Sequence, residues 1–247
     1  MTHVIINGAK GNMGKEAVIA VTNDEHLTLS ASIDKEDNLE KTILTHQTDV
    51  VVDLTHPYCV YENVKIILTH NCHAIVGTTG LTEDQLSELD KLAQSQNKAL
   101  IVCPNFSISA ILTMKFAADA AKFFDRCEII EYHHDKKADA PSGTAINTAQ
   151  LIHQKAPSIN KSPLNEKEII SGSRGGSYKN IPIHAIRLPG IVANQEVLFG
   201  TQGQSLSIRQ DTISREAFMP GLLLAIKASK HHVGLVYGLE NILNLSN

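Results

Sequence analysis

Cysteine is scarce and scattered. The four present, Cys59, Cys72, Cys103 and Cys127, form no C-x-x-C pair, which excludes both a disulfide framework and a zinc knuckle. They read as small apolar residues of a reducing compartment. A basic excess is also missing. Lysine and arginine number 22 against 26 aspartates and glutamates, a formal net charge of -4, so no nucleic-acid partner is expected. No segment approaches the roughly eighteen consecutive apolar residues of a membrane helix, so no membrane partner is expected. The opening MTHVIINGAKG runs into a strand-like segment without a basic-then-apolar signal region, and a cytoplasmic protein is expected. Internal repeats and low-complexity tracts are lacking as well. What is there is ordinary globular composition: 247 residues, 43% hydrophobic, with 15 glycines and 8 prolines. That is enough for one large domain or two small ones with a full core.

The first hundred residues alternate short apolar runs with helical spacing. His3 to Ile6, Leu27 to Ile33, Val50 to Leu54, Ala74 to Val76 and Leu100 to Cys103 read as strands. Met13 to Val21, Tyr58 to His70 and Leu81 to Ser95 read as helices, the last with Glu, Asp and Gln in its first turns. This alternation predicts an α/β fold, a parallel sheet with helices on both faces. The pattern then changes. A helix over Ser107 to Phe124 precedes β-like runs at Cys127 to Tyr132, Pro182 to Leu188, Gln195 to Phe199 and Ser205 to Arg209, with one clear helix between them, Ala145 to His153. Strands joined by loops, one of them the glycine-rich 171–177, predict an open sheet of a separate α+β domain. A last helix, Arg215 to Lys230, is placed to fold back on the first domain.

Gly8, Gly11 and Gly14 fall between the first strand and the first helix in G-x-x-G-x-x-G spacing, one step from the commoner dinucleotide fingerprint. The physical need is the same: a tight turn, backbone amides close to a pyrophosphate, and close helix–strand packing. Asp34 ends the second strand twenty residues after Gly14, where an acid accepts hydrogen bonds from an adenosine ribose. Lys10 and Lys35 are placed either to neutralise a 2′-phosphate or simply as surface charge, whereas Asp34 favours a free hydroxyl. Both NADH and NADPH therefore stay open. Gly77-Thr78-Thr79-Gly80 and Pro104-Asn105-Phe106-Ser107 follow two further strands, at the carboxyl ends where ligands of such sheets bind. They are placed to line the nicotinamide, or to serve as loop and cap residues, with Thr79 just before a helix and Ser107 as an N-cap.

The densest titratable chemistry is EYHHDKKADAPSGTA, 131–145. A metal needs three or four convergent ligands, but His133 and His134 are adjacent at the end of a β-rich run and point to opposite faces, so no metal is expected. An acid-base site fits better. Pro141-Ser142-Gly143-Thr144 opens a helix whose free N–H groups and dipole suit a carboxylate. Lys137 adds a positive charge, and His133 or His134 is placed to give a proton. Asp135, Lys136, Glu131 and Asp139 read as solvated or structural. The assembly suits reduction of a small anion by a nicotinamide cofactor.

At these same residues the chain resembles the 4-hydroxy-tetrahydrodipicolinate reductase (dihydrodipicolinate reductase) family. The resemblance rests on GAKGNMG at 8–14, GTTG at 77–80, PNFSIS at 104–109, EYHHDKKADAPSGTA at 131–145, SRGG at 173–176 and SREAFMPGLLLAIK at 214–227. It implies a Rossmann dinucleotide-binding domain over 1–104, an open-sheet substrate-binding and tetramerisation domain over 105–214, and a C-terminal helix segment, 215–247, that returns to the first domain. It implies cofactor contacts at Gly8, Ala9, Lys10, Gly11, Asn12, Met13, Asp34, Lys35, Gly77, Thr78, Thr79, Pro104, Asn105, Phe106 and Ser107. His133 and Lys137 would be the proton donors, and His134, Gly143 and Thr144 would hold a small dianionic substrate in a homotetramer of the lysine and diaminopimelate pathway. Three positions depart from the family's frequent residues: Asn12 replaces a cation, Ser109 a glycine and Gln210 a histidine. The first weakens any preference for NADPH.

Two other readings fit parts of the pattern. A reductase of another imino or amino diacid, such as an aspartate dehydrogenase, would share both halves. A redox-sensing dinucleotide-binding protein would need the glycines but not the His-Lys-Ser-Gly-Thr cluster. The missing tryptophan leaves NADH fluorescence a clean probe of the latter.

Overall fold

The computed structural model describes residues 1–161, 167–243 and 245. The chain divides into two compact units, Met1–Ile108 with Arg215–Asn247, and Ser109–Ser214.

The first unit is built on six parallel strands in the order β11-β5-β4-β3-β1-β2. These are β1 (Thr2–Asn7), β2 (Leu27–Ile33), β3 (Val50–Asp53), β4 (His73–Val76), β5 (Ala99–Val102) and β11 (Gly234–Tyr237). All four residues of β3 and of β5 are buried, as expected of strands covered on both faces. The covering helices are α1 (Asn12–Thr22), α2 (Leu39–Thr45), α3 (Val60–Thr69), α4 (Glu83–Ser95), α7 (Met219–Ala228) and α8 (Leu239–Ile242). The chain moves from β1 outward to β2, then returns past β1 to β3. Strand order therefore reverses between β1 and β3, where such folds bind their ligands.

Several elements differ from the sequence reading. The short α2 is a helix with no clear apolar period, started by Asn38, whose side chain accepts from the Lys41 N–H. The strand β11 was not anticipated. Its four residues pair with β5 in register, Leu235 with Leu100 and Val236 with Ile101. Helix α4 starts at Glu83 rather than Leu81, because Thr82 and Gln85 form a reciprocal capping box. Thr79 thus lies in the loop and does not cap the helix. The segment Arg215 to Lys230 is not one helix but a short 3-10 turn (Arg215–Phe218), α7 with Pro220 in its first turn, and a second 3-10 turn (Ser229–His231).

The second unit holds a mixed sheet in the order β10-β9-β6-β8-β7. Its strands are β6 (Arg126–His133), β7 (Gly176–Tyr178), β8 (Ile181–Arg187), β9 (Ala193–Thr201) and β10 (Gln204–Thr212). Only β6 and β8 run parallel. Two helices, α5 (Ile108–Ala120, continued by a 3-10 turn to Phe123) and α6 (Gly143–Lys155), pack on one face. The core joins Ala117, Ala121, Ala145, Ala149 and Ile152 to Cys127, Ile129, Ile183, Val197 and Phe199. On β6 the residues alternate, so Cys127, Ile129 and Glu131 point into this core.

Candidate functional site

The glycine loop is fixed by backbone contact. Gly8 has φ +89°, and a Cβ there would lie 2.5 Å from the Leu54 carbonyl oxygen. A Cβ on Gly14 would lie 2.0 Å from the Gly8 oxygen. Both approaches are closed to any side chain. Helix α1 then starts from Gly11 with no side-chain cap, so its first N–H groups face outward as an anion site. Beside this loop is a cleft of about 780 Å³ lined by Gly8, Lys10, Gly11, Asp34, Lys35 and Thr55, among others. It sits at the β1/β3 reversal. Asn12 is exposed and Met13 half-buried beside it.

Asp34 accepts the Lys35 N–H and the Lys10 N–H, each at 2.9 Å. Those two backbone bonds hold its carboxyl below the ordinary carboxylate range. The acid therefore stays charged and tethers the glycine loop to the end of β2. Lys10 Nζ is 3.5 Å from Glu36, and Asp37 and Glu40 line the same cleft. This side of the cleft thus carries more acid than base. These residues fit a dinucleotide: uncapped amides for the pyrophosphate, an ionised acid for ribose hydroxyls.

Gly77 lies against Leu54 and Phe106, each 2.7 Å from where its Cβ would be. Thr78 is buried while Thr79 is exposed. Asn105 accepts the Ser107 N–H at 2.8 Å and steadies the turn from Pro104 into α5. The buried ring of Phe106 closes this side.

In the second unit, one buried carboxylate organises the EYHHDKKADAPSGTA segment. Glu131 is 0% exposed. Arg187 clamps it through Nη2 to Oε1 at 2.8 Å and Nη1 to Oε2 at 3.0 Å. The Ser142 N–H donates to Oε1 at 3.2 Å, and His133 Nδ1 is hydrogen-bonded to Oε2. Burial alone pushes the Glu131 carboxyl up, but the hydrogen bonds and charges of His133 and Arg187 outweigh it, and the net shift is downward. Arg187 also donates to the Asp139 carbonyl at 2.8 Å, which fixes the 134–141 loop against β8.

Lys137 Nζ lies 2.7 and 2.8 Å from the two oxygens of Asp139. Ser142 caps α6 by accepting the Ala145 N–H at 3.2 Å. A Cβ on Gly143 would meet nothing within 4 Å. Among the described residues no acceptor takes the N–H of Gly143 or Thr144, so the helix presents two open donors. His134 is half-buried one residue beyond His133. Glu131 thus ties His133 to the start of α6, and Arg187 holds the loop that carries Lys137. Of the two readings open for Glu131, solvated or structural, the structural one describes it: it is a wholly buried hub. Arg187 went unrecognised because the sequence does not give the pairing of β6 with β8 that sets it opposite His133.

Family models for the N-terminus and the C-terminus of dihydrodipicolinate reductase match residues 2–106 and 109–243. The chain belongs to the dihydrodipicolinate reductase family. Among its relatives in the family, the 4-hydroxy-tetrahydrodipicolinate reductase of Legionella pneumophila is 47% identical over 244 residues, 98% of this chain and 99% of that protein. The enzyme of the same name from Mycobacterium marinum is 46% identical over 239 residues, 96% and 97% of the two chains. The dipicolinate-bound dihydrodipicolinate reductase of Paenisporosarcina sp. TG-14 superposes with a TM-score of 0.91 at 44% identity, covering 98% of this chain and 99% of that one. The family's dinucleotide-binding domain corresponds to the first unit's parallel sheet. No helix among the described residues is long and apolar enough to cross a membrane.

Proposed function

We propose that this chain reduces 4-hydroxy-tetrahydrodipicolinate with a nicotinamide dinucleotide, in the cytoplasmic pathway to diaminopimelate and lysine. The observation that carries the reading is the hydrogen-bond cluster around Glu131, which ties His133 to the start of α6, with Lys137 on the adjoining loop that Arg187 holds. A planar diacid fits these groups. One carboxylate takes the Gly143 and Thr144 N–H groups, and His134 and Lys137 hold the other. Lys137 exchanges Asp139 for substrate, and that exchange neutralises the incoming charge.

Gly8 to Met13 would hold the pyrophosphate, Asp34 the adenosine ribose beside Lys35, and Gly77 to Thr79 with Pro104 to Ser107 the nicotinamide half. When bound, the reduced nicotinamide supplies a hydride, accepted at C4 of the ring after water is lost. The proton comes from His133. Its Nδ1 is committed to Glu131, which leaves Nε2 as the nitrogen that releases a proton. Arg187 keeps the Glu131 carboxylate charged, and that carboxylate fixes the orientation of the His133 ring. Lys137 is the second donor and the main electrostatic partner of the substrate.

NADH is the preferred cofactor. Asn12 supplies no charge, Lys10 is already shared with Glu36, and a 2′-phosphate would approach an Asp34 held in its ionised form. The four free thiols suit a reducing compartment. The second face of the β6–β10 sheet, with Ile130 and Tyr132 half-buried and Leu198 exposed, supports a homotetramer. Calorimetric titration with dipicolinate, a planar dianion, tests the substrate site directly. Wild type should bind it and Lys137→Ala should lose most of that affinity. Equal binding by the two would remove Lys137 from the site.

A further inference from the structure

Beneath the cofactor cleft lies a carboxylate that the proposed chemistry does not use. Asp53, the last residue of β3, is 0% exposed. It receives five hydrogen bonds. Oδ1 accepts from Thr55 Oγ1 at 2.7 Å, Thr78 Oγ1 at 2.7 Å and the Thr55 N–H at 3.3 Å. Oδ2 accepts from Asn63 Nδ2 at 2.8 Å and Asn7 Nδ2 at 3.0 Å. All five donors are neutral. A buried charge without a counter-ion is costly, and here its solvation comes entirely from oriented dipoles.

That arrangement fixes polarity. A carboxylate accepts and never donates, so each neighbouring hydroxyl must spend its single proton on Asp53. Toward anything else the hydroxyls of Thr55 and Thr78 are acceptors only. The acceptor side of Thr55 is already occupied, by Asn63 Nδ2 at 3.2 Å and Cys59 Sγ at 3.4 Å. Among the described residues nothing donates to Thr78 Oγ1. Its lone pairs are available to an N–H donor, and Thr78 follows β4 at the carboxyl ends of the parallel strands, where such sheets bind ligands. Three of the partners, Asn7, Thr55 and Asn63, line the cleft itself.

We propose that Asp53 is a positioning residue which holds Thr78 as a hydrogen-bond acceptor for the carboxamide N–H of the nicotinamide. This rests on the reading of Gly77 to Thr79 as a nicotinamide contact. The consequence is selectivity at the amide. A reduced 3-acetylpyridine adenine dinucleotide keeps the carbonyl and lacks the N–H2 group, so it would leave the Thr78 oxygen unpaired.

The test is calorimetric binding of NADH and of the reduced acetylpyridine analogue to the full chain, in wild type, Asp53→Ala, Thr78→Val and Thr78→Ser. Wild type should favour NADH by about tenfold. Asp53→Ala removes the carboxylate and leaves the Thr78 hydroxyl only the main-chain oxygen of residue 53, 3.3 Å away, so its polarity is no longer fixed and the two affinities should come to within about twofold. Thr78→Val should do the same, and Thr78→Ser should keep the wild-type ratio. A merely structural role would weaken both nucleotides together and leave the ratio unchanged. Retained discrimination in Asp53→Ala, or equal affinities in wild type, overturns the proposal. Should Asp53→Ala not fold, undiminished discrimination in Thr78→Val overturns it. Wild type binding neither nucleotide would instead refute the cofactor reading, and binding without turnover would refute only the reductase reading.

Discussion

Glu131 keeps its charge inside the protein because Arg187, His133 and the Ser142 N–H share its two oxygens. Its carboxyl is held below the ordinary glutamate value of 4.5. A depressed carboxyl contributes stability that is present above its unfolded pKa and is lost as pH falls through the folded one. Glu131→Gln should therefore destabilise the protein by on the order of 3 kcal/mol near neutral pH, since Arg187 loses its buried partner. The gap between variant and wild type should close as pH drops below 4.5, read from urea unfolding by circular dichroism. A gap that stays constant into acid would mean that Glu131 is not charged in the fold. Lys137 makes the opposite kind of prediction. Lys137→Ala should lower kcat by roughly a hundredfold or more while NADH affinity stays within about twofold, because among the described residues its one side-chain partner is the exposed Asp139. At this scale His133, His134, Lys137 and Gly143 stand out in the sequence as an unusual local string. Glu131 was legible only through strand alternation, since Cys127 and Ile129 mark its face as the buried one. Arg187 and Asp53 were not legible at all, because their meaning depends on β6 pairing with β8 and β3 lying beside β1 and β4.

Two helix starts carry the same chemistry with different expected consequences. Ser142 caps α6 and Thr82 caps α4, each accepting a backbone N–H at 3.2 Å. Ser142→Ala and Thr82→Ala should each cost about 1 kcal/mol of stability, seen as similar losses in Tm. Only Ser142→Ala should also raise the KM for substrate, because α6 presents the Gly143 and Thr144 amides. Equal kinetic effects from both variants would contradict the placement of substrate at α6. The first loop gives a sharper case. Gly8→Ala would drive a Cβ to within 2.5 Å of the Leu54 carbonyl, in a conformation that disfavours L-residues. Dinucleotide binding should be abolished, as measured by NADH fluorescence, which no tryptophan obscures. Long elements with clear periods, such as α3, α4 and β2, could be read from the sequence directly. The missed ones were short: α2 has seven residues, β11 and α8 four each and β7 three. In such elements pairing with a neighbour decides the structure, and local pattern carries little information.

At the scale of the molecule, the chain splits its chemistry between two units that the sequence already distinguishes by pattern. Strand–helix alternation gives the parallel sheet, and loop-joined strands give the mixed one. The second unit's helices cover one face of its sheet, and Leu198 stands exposed on the other. A homotetramer should use that face. Light scattering after size exclusion should read a mass of four chains, and Leu198→Arg should lower it, whereas a wild-type monomer would refute the assembly. The electrostatics of the cleft beside the glycine loop also act as a whole, with Asp34, Asp37 and Glu40 outnumbering Lys10 and Lys35. The most direct measurement is a coupled assay in which the preceding synthase makes 4-hydroxy-tetrahydrodipicolinate in place and absorbance follows NADH and NADPH in parallel reactions. The account predicts rapid oxidation of NADH that depends on the synthase, with NADPH used less efficiently. No synthase-dependent oxidation of either nucleotide would contradict it.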